Sequence, residues 1–372
     1  MLTAARTRVC IVNPFEHGGG AEYQISLLID ALADTGRYDI HYLTHFVDTR
    51  NRPRRYAVVR VGRGGGIPRL GYLAEAGSLY RALQRIDPSV IYQRVACGYT
   101  GICAFYARRR GVPMVWHVSH DTEVKRQHLD KARNVLRLRL EKWAVESGVR
   151  NAARIVVQTQ HQAALLRENY GRSADAVIPN FHPPASEPID KSGPLTVLWI
   201  ANLKPWKRPE MFIQLAQRLK DRIGVRFVMV GGASASTTWQ DALLADIQAT
   251  PNLTYLGEID QREVNVLLAR AHIFVNTSVY EGFPNTFIQA WLRDVAVVSA
   301  QVDPDAALSG GGAGLVAGSQ EGLERAVRRL IDSPAERQDL ASRGRALALA
   351  QHSLNNAARL MRLLSEPLPQ KG

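Results

Sequence analysis

Residues 272–300 read HIFVNTSVYEGFPNTFIQAWLRDVAVVSA, which places a helical stretch between two short apolar runs rich in Val and Ile. The first run, 272–277, is typical of a buried strand, and the second, 295–299, has the same character. Between them Pro284 occupies a favourable first position for a helix, because its missing N–H would be unpaired there anyway. A strand–helix–strand unit of this kind predicts a parallel sheet with crossover helices.

The same alternation continues in both directions through the 372 residues and predicts an α/β protein. Periodicity stops and prolines accumulate after residue 180, which is typical of a linker. We expect two Rossmann-like domains, 1–185 and 195–352, with 186–194 as linker and the tail from about 353 to 372 packing back on the first domain. Because open parallel sheets bind ligands beyond the carboxyl ends of their strands, the two sheets are expected to face a shared cleft. Strands are predicted at 8–15, 39–46, 56–61, 89–94, 113–120, 154–160 and 176–180, and then at 195–202, 226–231, 253–256, 272–277, 295–299 and 314–317.

The composition is that of a globular protein, with 46% hydrophobic and 22% charged residues. No uncharged apolar run approaches the ~20 residues of a membrane-spanning helix. The three cysteines form no C-x-x-C pair, which argues against a disulfide framework and a thiolate zinc site. The N-terminus has no separate apolar segment of a signal peptide. We therefore expect a cytoplasmic protein, and the inner face of the cytoplasmic membrane is a second candidate location.

The net charge of +13 is unevenly distributed. Residues 1–190 contain 27 basic and 17 acidic side chains, whereas residues 191–372 contain 20 and 17. A basic half of this kind suits nucleic acid, anionic lipid headgroups or phosphorylated ligands, and charge alone does not choose among them. No aromatic-rich basic stripe or nucleic-acid recognition module accompanies it, so nucleic acid is not an expected partner.

The loop inside 272–300 has the features of an anion site. With the helix beginning at Pro284, the backbone N–H groups of Phe283, Asn285 and Thr286 lack intrahelical partners and, together with the helix dipole, suit a phosphate. The carboxylate of Glu281 is then placed to accept hydrogen bonds from hydroxyls attached to that phosphate. An ordinary exposed acid ahead of a well-started helix is the alternative.

The segment YEGFPNTFIQAW, residues 280–291, resembles the E-x7-E region of retaining nucleotide-sugar glycosyltransferases with the GT-B fold, of the family 4 type. In that family the first Glu lies against the donor sugar and the second against the nucleotide ribose. Glu281 matches the first position, whereas Gln289 stands at the second. An amide accepts at one atom and donates at the other, so the resemblance implies an altered ribose contact. The implied donor-binding residues are Glu281, Gly282, Phe283, Asn285, Thr286 and Gln289.

A second segment, VLWIANLKPWKRPE at 197–210, resembles the family pattern G-R-x4-K-G. In the family, the Arg and the Lys neutralise the donor diphosphate, which is also the leaving group. Lys207 matches the Lys, and Asn202 stands where the Arg is expected. Lys204 and Arg208 are candidates to replace the missing guanidinium as phosphate ligands. A solvated basic loop is the alternative.

Three glycines, Gly18, Gly19 and Gly20, follow the first predicted strand and would let a ligand approach the backbone closely. Their spacing is not G-x-G-x-x-G, and the next strand ends without an acid, which argues against a dinucleotide site. The resemblance implies that this turn lies near the donor phosphates and the acceptor. A plain tight turn is the alternative.

The predicted strand at 113–120 ends in His120 and Asp121. Many family members carry His-Asp or His alone here, so the resemblance implies that His120 acts on the sugar or acceptor side, with Asp121 beside it. His117 lies three residues earlier and points to the opposite face of the strand. We expect it to be a hydrogen-bonded core histidine. Side chains on opposite faces make a poor chelate, so no metal site is predicted.

Residues 123–149 predict one long helix, and two interpretations of its charges stay open. One is a solvated basic face. The other is docking to an anionic membrane that holds a lipid-linked acceptor, with about 1 kcal/mol for each nearby Lys or Arg. The positions at core spacing are Leu129, Leu136, Leu140 and Trp143, and the basic ones are Lys125, Arg126, Lys131, Arg133, Arg137 and Arg139.

Together these expectations describe a retaining, hexosyltransferase-type enzyme that moves a sugar from a nucleoside diphosphate sugar to a glycan or lipid-linked acceptor, in cell-surface polysaccharide or glycolipid synthesis. Glu281, Lys207 and His120 are the expected catalytic residues, and no cofactor is expected. The resemblance also implies same-face attack, in which a donor phosphate oxygen helps to take the acceptor proton. A sugar-nucleotide epimerase or hydrolase of the same fold, and a non-catalytic accessory subunit, are the alternatives.

Overall fold

The computed structural model describes residues 6–50, 53–62, 71–125, 136–233 and 237–366. The chain divides into two compact units, a first unit formed by residues 1–180 and 354–372 and a second unit formed by residues 181–353. Each unit has its own parallel sheet with helices between the strands. The predicted α/β architecture with two Rossmann-like domains is confirmed.

The sheet of the first unit has seven parallel strands: β1 (Thr7–Val12), β2 (Tyr38–Thr44), β3 (Ala57–Arg60), β4 (Val90–Arg94), β5 (Met114–His117), β6 (Arg154–Val157) and β7 (Ala176–Val177). Their order is β3-β2-β1-β4-β5-β6-β7. The strand order reverses where β1 lies beside β4, which is the point at which open parallel sheets usually bind ligands. The helices of this part of the chain are α1 (Gly20–Asp34), α2 (Ala76–Ile86), α3 (Gly98–Arg110), α4 (Asp121–Val124), α5 (Leu136–Asn151) and α6 (Gln160–Tyr170).

The prediction of one continuous helix over residues 123–149 is wrong. Helix α4 ends at Val124, and Lys125 has an extended backbone with φ −97° and ψ 111°. Helix α5 then begins at Leu136. Several residues of the prediction lie outside the described residues, namely Arg126, Leu129, Lys131 and Arg133.

The core face predicted for this helix is also wrong, since Leu140 is 40% exposed and Trp143 is 69% exposed. Helix α5 instead buries its next residues, Ala144 and Val145. The reason is a close helix–helix contact: a Cβ added to Gly101 of α3 would lie 2.5 Å from the carbonyl oxygen of Ala144. The small residues therefore set which side of α5 faces inward, and the larger leucine and tryptophan face outward.

The second unit contains six parallel strands: β8 (Leu195–Ile200), β9 (Val225–Val230), β10 (Leu253–Tyr255), β11 (Ile273–Asn276), β12 (Ala296–Ser299) and β13 (Gly314–Val316). The order is β10-β9-β8-β11-β12-β13, so the reversal falls between β8 and β11. The helices are α7 (Pro209–Arg218), α8 (Thr238–Gln248), α9 (Gln261–Arg270), α10 (Asn285–Trp291), α11 (Gln320–Asp332) and α12 (Pro334–Gln351).

The last helix, α13 (Asn355–Ser365), belongs to the first unit although it follows the whole of the second. Its Leu360 and Leu364 are buried. Tyr38 of β2 lies 2.8 Å from the hydroxyl of Ser365, and Arg359 donates to the carbonyl of Val177 at 2.8 Å. These contacts hold the C-terminal segment against β2 and against the edge strand β7 of the first sheet.

Residues 186–194, predicted as a linker, lie in the second unit. There Glu187 pairs with the buried guanidinium of Arg293, and Lys191 donates to the carbonyls of Leu268 and Ala271 at the end of α9. Burial lowers the pKa of Lys191 to about 8. In the described ranges, no helix combines the length and the apolar character needed to cross a membrane.

Candidate active site

Two loops meet beyond the carboxyl ends of β8 and β11, which are neighbouring strands at the reversal point of the second sheet. The loop after β8 contains a short 3-10 turn, Pro205–Lys207, and the loop after β11 leads to α10. Several hydrogen bonds tie them, and two of these have a backbone carbonyl of the 3-10 turn as acceptor. The N–H of Val279 donates to the carbonyl of Trp206 at 2.9 Å, and the hydroxyl of Thr277 donates to the carbonyl of Lys207 at 2.5 Å.

Lys207 and Glu281, identified from two separate motifs, are in direct contact. The ammonium of Lys207 donates to Oε1 of Glu281, and the hydroxyl of Ser278 donates to the same oxygen at 2.7 Å. Their side chains are only 19% and 15% exposed. Within the described part of the chain, Oε2 of Glu281 accepts no hydrogen bond. The pair therefore presents one cation and one open carboxylate oxygen at the same place.

Arg208 holds the loop that carries this acid. Its backbone is left-handed, with φ 47° and ψ 55°. The guanidinium donates to the carbonyl of Thr277 at 2.7 Å and, more weakly, to the carbonyl of Ser278 and the side chain of Gln301 at 3.4 Å. Two of its three nitrogens are thus committed to protein oxygens. The other candidate cation, Lys204, lies 5.1 Å from the centre of the Trp206 ring.

Asn202 lies on the exposed edge where β8 and β9 end. A Cβ at Gly231 would lie 1.7 Å from the carbonyl oxygen of Ala201, so a glycine is required there. A Cβ at Gly232 would lie 3.6 Å from Oδ1 of Asn202 and 3.0 Å from a carboxylate oxygen of Glu258. The position at which the family carries a guanidinium therefore holds the amide of Asn202, and the carboxylate of Glu258 lies nearby.

Helix α10 begins one residue later than predicted. Pro284 is its N-cap, with an extended ψ of 122°, and the helix has seven residues from Asn285. Asn285 and Thr286 are half-buried. Phe283 is buried against His352, with ring centres 4.2 Å apart. A helix this short has a small dipole, so the positive charge at the site comes mainly from the lysine.

Gln289, where the family has its second Glu, is buried in a cluster of amides. Its Nε2 donates to Oδ1 of Asn265 at 3.3 Å, and Nε2 of Gln261 donates to the same atom at 3.1 Å. The carbonyl of Gln289 accepts from Arg293 at 3.1 Å. The side chain is thus held by α9, a contact that the sequence motif does not reveal.

The glycine turn of the first unit has a local structural explanation. Gly18 has φ 117°, which favours glycine, and Gly19 is the N-cap of α1. A Cβ at Gly19 would lie 2.5 Å from a carboxylate oxygen of Glu22, and Gly20 begins the helix. Asn13 donates to the other oxygen of Glu22 at 2.8 Å. These contacts agree with the tight-turn alternative.

His120 and Asp121 are brought together at the start of α4. His120 is the N-cap, and its Nδ1 accepts from the backbone N–H of Thr122 at 3.2 Å. Asp121 accepts from Gln162 of α6 at 3.0 Å. His117 is fully buried and lies 2.9 Å from the hydroxyl of Tyr92, so the predicted core histidine is confirmed.

Burial lowers the pKa of His117 well below its ordinary value, and the charge of Arg94 adds to this effect. A neutral imidazole in the core is therefore expected. Among the residues that the structure describes, no three His, Cys, Asp or Glu side chains are grouped so as to hold a metal ion.

Glu123 lies in helix α4, three residues after its N-cap His120, and allows a prediction about the pH dependence of stability. It is 7% exposed, and burial raises the pKa of its carboxyl to about 7, although Ser119 donates to it. The unfolded chain releases this proton near the ordinary value of 4.5, so the native state holds more protons between these values. Its contribution to stability is therefore full below pH 4.5 and is lost as the pH rises through 7. We expect Glu123→Gln to flatten the fall of Tm between pH 5 and 8, measured by thermal unfolding.

The exposed Glu168 of α6 supplies the control. Glu168→Gln should keep the wild-type pH profile, because this side chain stays in water in the folded protein. An unchanged slope in the Glu123 variant would contradict the prediction.

Two family descriptions match successive parts of the chain. Residues 18–185 match "Glycosyltransferase Family 4", and residues 194–333 match "Glycosyl transferases group 1". The chain belongs to the family 4 type glycosyltransferases. Its two parallel-sheet units are those of the GT-B fold, as the resemblance of both motifs implied.

Individual relatives of this glycosyltransferase are more distant. It is 26% identical over 272 residues to D-inositol 3-phosphate glycosyltransferase of Nocardiopsis dassonvillei, a match that covers 66% of this chain and 62% of that relative. The match thus spans about three fifths of the relative's length. Sucrose-phosphate synthase of Thermosynechococcus elongatus aligns with a TM-score of 0.76 and 18% identity, over 96% of this chain and 98% of that one. Anabaena Alr3699/HepE in complex with UDP and glucose aligns with a TM-score of 0.77 and 18% identity, over 97% and 100%. At these identities, the structural likeness shows the shared fold.

Proposed function

We propose that this glycosyltransferase takes its sugar from a nucleoside diphosphate sugar bound beside Lys207 and Glu281. The supporting observation is the direct contact between these side chains, with Oε2 of the acid open. A pyrophosphate needs a cation, and sugar hydroxyls need an acceptor, and the pair supplies both within one site. The solved structures of Alr3699/HepE with UDP and with UDP-glucose give further support for this donor class.

The ion pair also indicates what each partner does during transfer. Without donor, the two charges neutralise each other. When a diphosphate binds, the ammonium of Lys207 turns to it and offsets the negative charge that grows on the leaving group. Oε2 of Glu281 accepts a hydrogen bond from a sugar hydroxyl and orients the ring. Asn202, Arg208, the start of α10 and Gln289 complete the proposed donor surface.

The transfer is proposed to retain the anomeric configuration. With donor bound, Glu281 is proposed to accept from Ser278 at Oε1 and from a sugar hydroxyl at Oε2, and a carboxylate held by two such hydrogen bonds is a weak nucleophile, which disfavours a covalent sugar–enzyme intermediate on Glu281. In the proposed step, the acceptor oxygen bonds to the anomeric carbon on the face that the diphosphate leaves. A phosphate oxygen of the donor takes the proton of the acceptor hydroxyl. An inverted product anomer in an NMR assay would contradict this step.

The acceptor is proposed to be a glycan or a lipid-linked sugar, and the product a component of cell-surface polysaccharide or glycolipid. His120 and Asp121 are the proposed acceptor-side groups, whereas Gly19 and Gly20 keep the donor-binding role predicted for them. Their support is chemical: a half-buried imidazole at a strand end can hydrogen-bond a hydroxyl. Contact with an anionic membrane is taken up in the next subsection.

A thermal-shift panel of nucleoside diphosphates and their sugars tests the donor class. We expect the diphosphates of one nucleoside to raise Tm more than those of the others, because a ligand at 100 times its Kd stabilises the native state by about 2.7 kcal/mol. Nucleoside monophosphates are the matched control, since they lack the second phosphate that Lys207 is proposed to bind. No shift with any diphosphate would contradict the proposal. Turnover of the donor without any acceptor would instead indicate an epimerase or a hydrolase.

A further inference from the structure

Among the described side chains of α3 and α5 in the first unit, three large apolar ones are exposed. Phe105 of α3 is 60% exposed, and Leu140 and Trp143 of α5 are 40% and 69% exposed. Leu140 and Trp143 are three residues apart and therefore share one face of their helix. Single exposed apolar residues are common on protein surfaces, but a group that includes Trp and Phe on neighbouring helices is typical of an interaction site.

The two helices lie side by side. A Cβ at Gly148 of α5 would lie 2.6 Å from the carbonyl carbon of Thr100, so the backbones approach closely there. Gly101 meets Ala144, and Arg108 donates to Asn151 at 3.5 Å. From the first of these two pairs to the second, the contact moves forward by seven residues on each helix (from Gly101 to Arg108 and from Ala144 to Asn151). The helices therefore run in the same direction.

Their outward faces form one surface because their inward faces share one core. Cys103 and Ala107 of α3 are buried in the same hydrophobic cluster as Val145 and Val149 of α5. The opposite sides of both helices therefore point to solvent together. We name the apolar part of this surface, Phe105, Leu140 and Trp143, the aromatic surface.

The helices that carry the aromatic surface also carry exposed cations. Among the side chains that the structure describes, the exposed arginines of the two helices are Arg108, Arg109, Arg110, Arg139 and Arg150. The acids of α5, Glu141 and Glu146, are half-buried, and Glu146 lies 3.5 Å from Arg150. The exposed charge here is therefore mainly positive, in a chain of net charge +13.

We infer that the aromatic surface and its arginines dock the protein on an anionic lipid membrane. Trp and Phe insert at the level of the headgroups, while guanidiniums remain in water against lipid phosphates. Charge complementarity favours this occupant over a second copy of the chain, whose equally basic surface would repel it. The inference rests on the proposed function for its purpose, which is access to a lipid-linked acceptor, but not for the binding itself.

Vesicle sedimentation with the full chain, without donor or nucleotide, tests the inference. We expect binding to vesicles of phosphatidylcholine with 30% phosphatidylglycerol, on the order of tenfold or more above binding to pure phosphatidylcholine. Trp143→Ala should lower the partition coefficient about tenfold, and Arg109→Gln about fivefold. Both side chains are exposed, so Tm should stay unchanged.

Matched controls come from the second unit, where Ile223 and Arg226 are also exposed. Ile223→Ala and Arg226→Gln should bind vesicles like the wild type. Equal binding to neutral and anionic vesicles, or wild-type binding by the Trp143 variant, would overturn the inference. A lipid-free dimer in sedimentation velocity that Trp143→Ala dissociates would overturn it in favour of a second copy. Because the nucleotide panel is measured without vesicles, failure of either proposal is seen separately.

Discussion

Glu281→Gln is expected to lower kcat/KM for sugar transfer by about 10²–10³-fold, the loss typical of one well-placed polar contact in a transition state. The amide keeps one acceptor atom, but its NH2 group faces Lys207, Ser278 or the sugar as a donor. Binding of the free nucleoside diphosphate should be retained or become tighter, because Lys207 loses the carboxylate that competes for it. Steady-state kinetics and calorimetry with the diphosphate alone measure the two effects separately.

The control removes a carboxylate from the same unit without touching the site. Asp246 of α8 is exposed, and Asp246→Asn should leave both measurements unchanged. Full product formation by the Glu281 variant would exclude this acid from the chemistry and would favour a non-catalytic accessory role for the chain.

Lys207→Met should produce the opposite pattern. We expect diphosphate binding to weaken together with kcat/KM, and the loss in kcat/KM to reach about 10³-fold, because the cation is proposed to act in the ground state and on the leaving group. Methionine keeps most of the length of the side chain, so the backbone contact of Lys207 with Thr277 should survive. Kinetics with calorimetry again separates binding from turnover.

Lys220 is the matched control, since it is an exposed lysine of the same unit. Lys220→Met should bind diphosphates like the wild type. Undiminished diphosphate affinity in the Lys207 variant would place the phosphates elsewhere. In the double variant with Glu281→Gln, the losses should not add, because the side chains are in contact.

The strands and the paired site residues could be predicted because both depend on local sequence. Short runs such as AVVS in β12 are buried on both faces, and their composition alone indicates a central parallel strand. Lys207 and Glu281 each follow such a strand. Once those strands are neighbours at the reversal point of the sheet, the two side chains come together.

Loop conformation and helix packing could not be predicted in the same way. The contact of Ser278 with Glu281 depends on the path of the loop, and the left-handed backbone of Arg208 has no signal in its own residue type. Leucines at helical spacing suggested a core face for α5, but the glycine contact at Gly101 rotates that face away. Nor does the E-x7-E motif contain Asn265, which holds Gln289 from another helix.

The return of α13 to the first unit also governs the order of folding during synthesis. Residues 181–353 form a continuous segment, so the second unit has all of its strands before α13 is synthesised. The first unit waits for Leu360 and Leu364, which follow the whole second unit in the chain. Domains generally fold as their residues emerge, N-terminal first, yet here the later-made unit is completed earlier. A chain shortened before α13 would leave the nascent first unit with an uncovered apolar surface, open to chaperones and proteases.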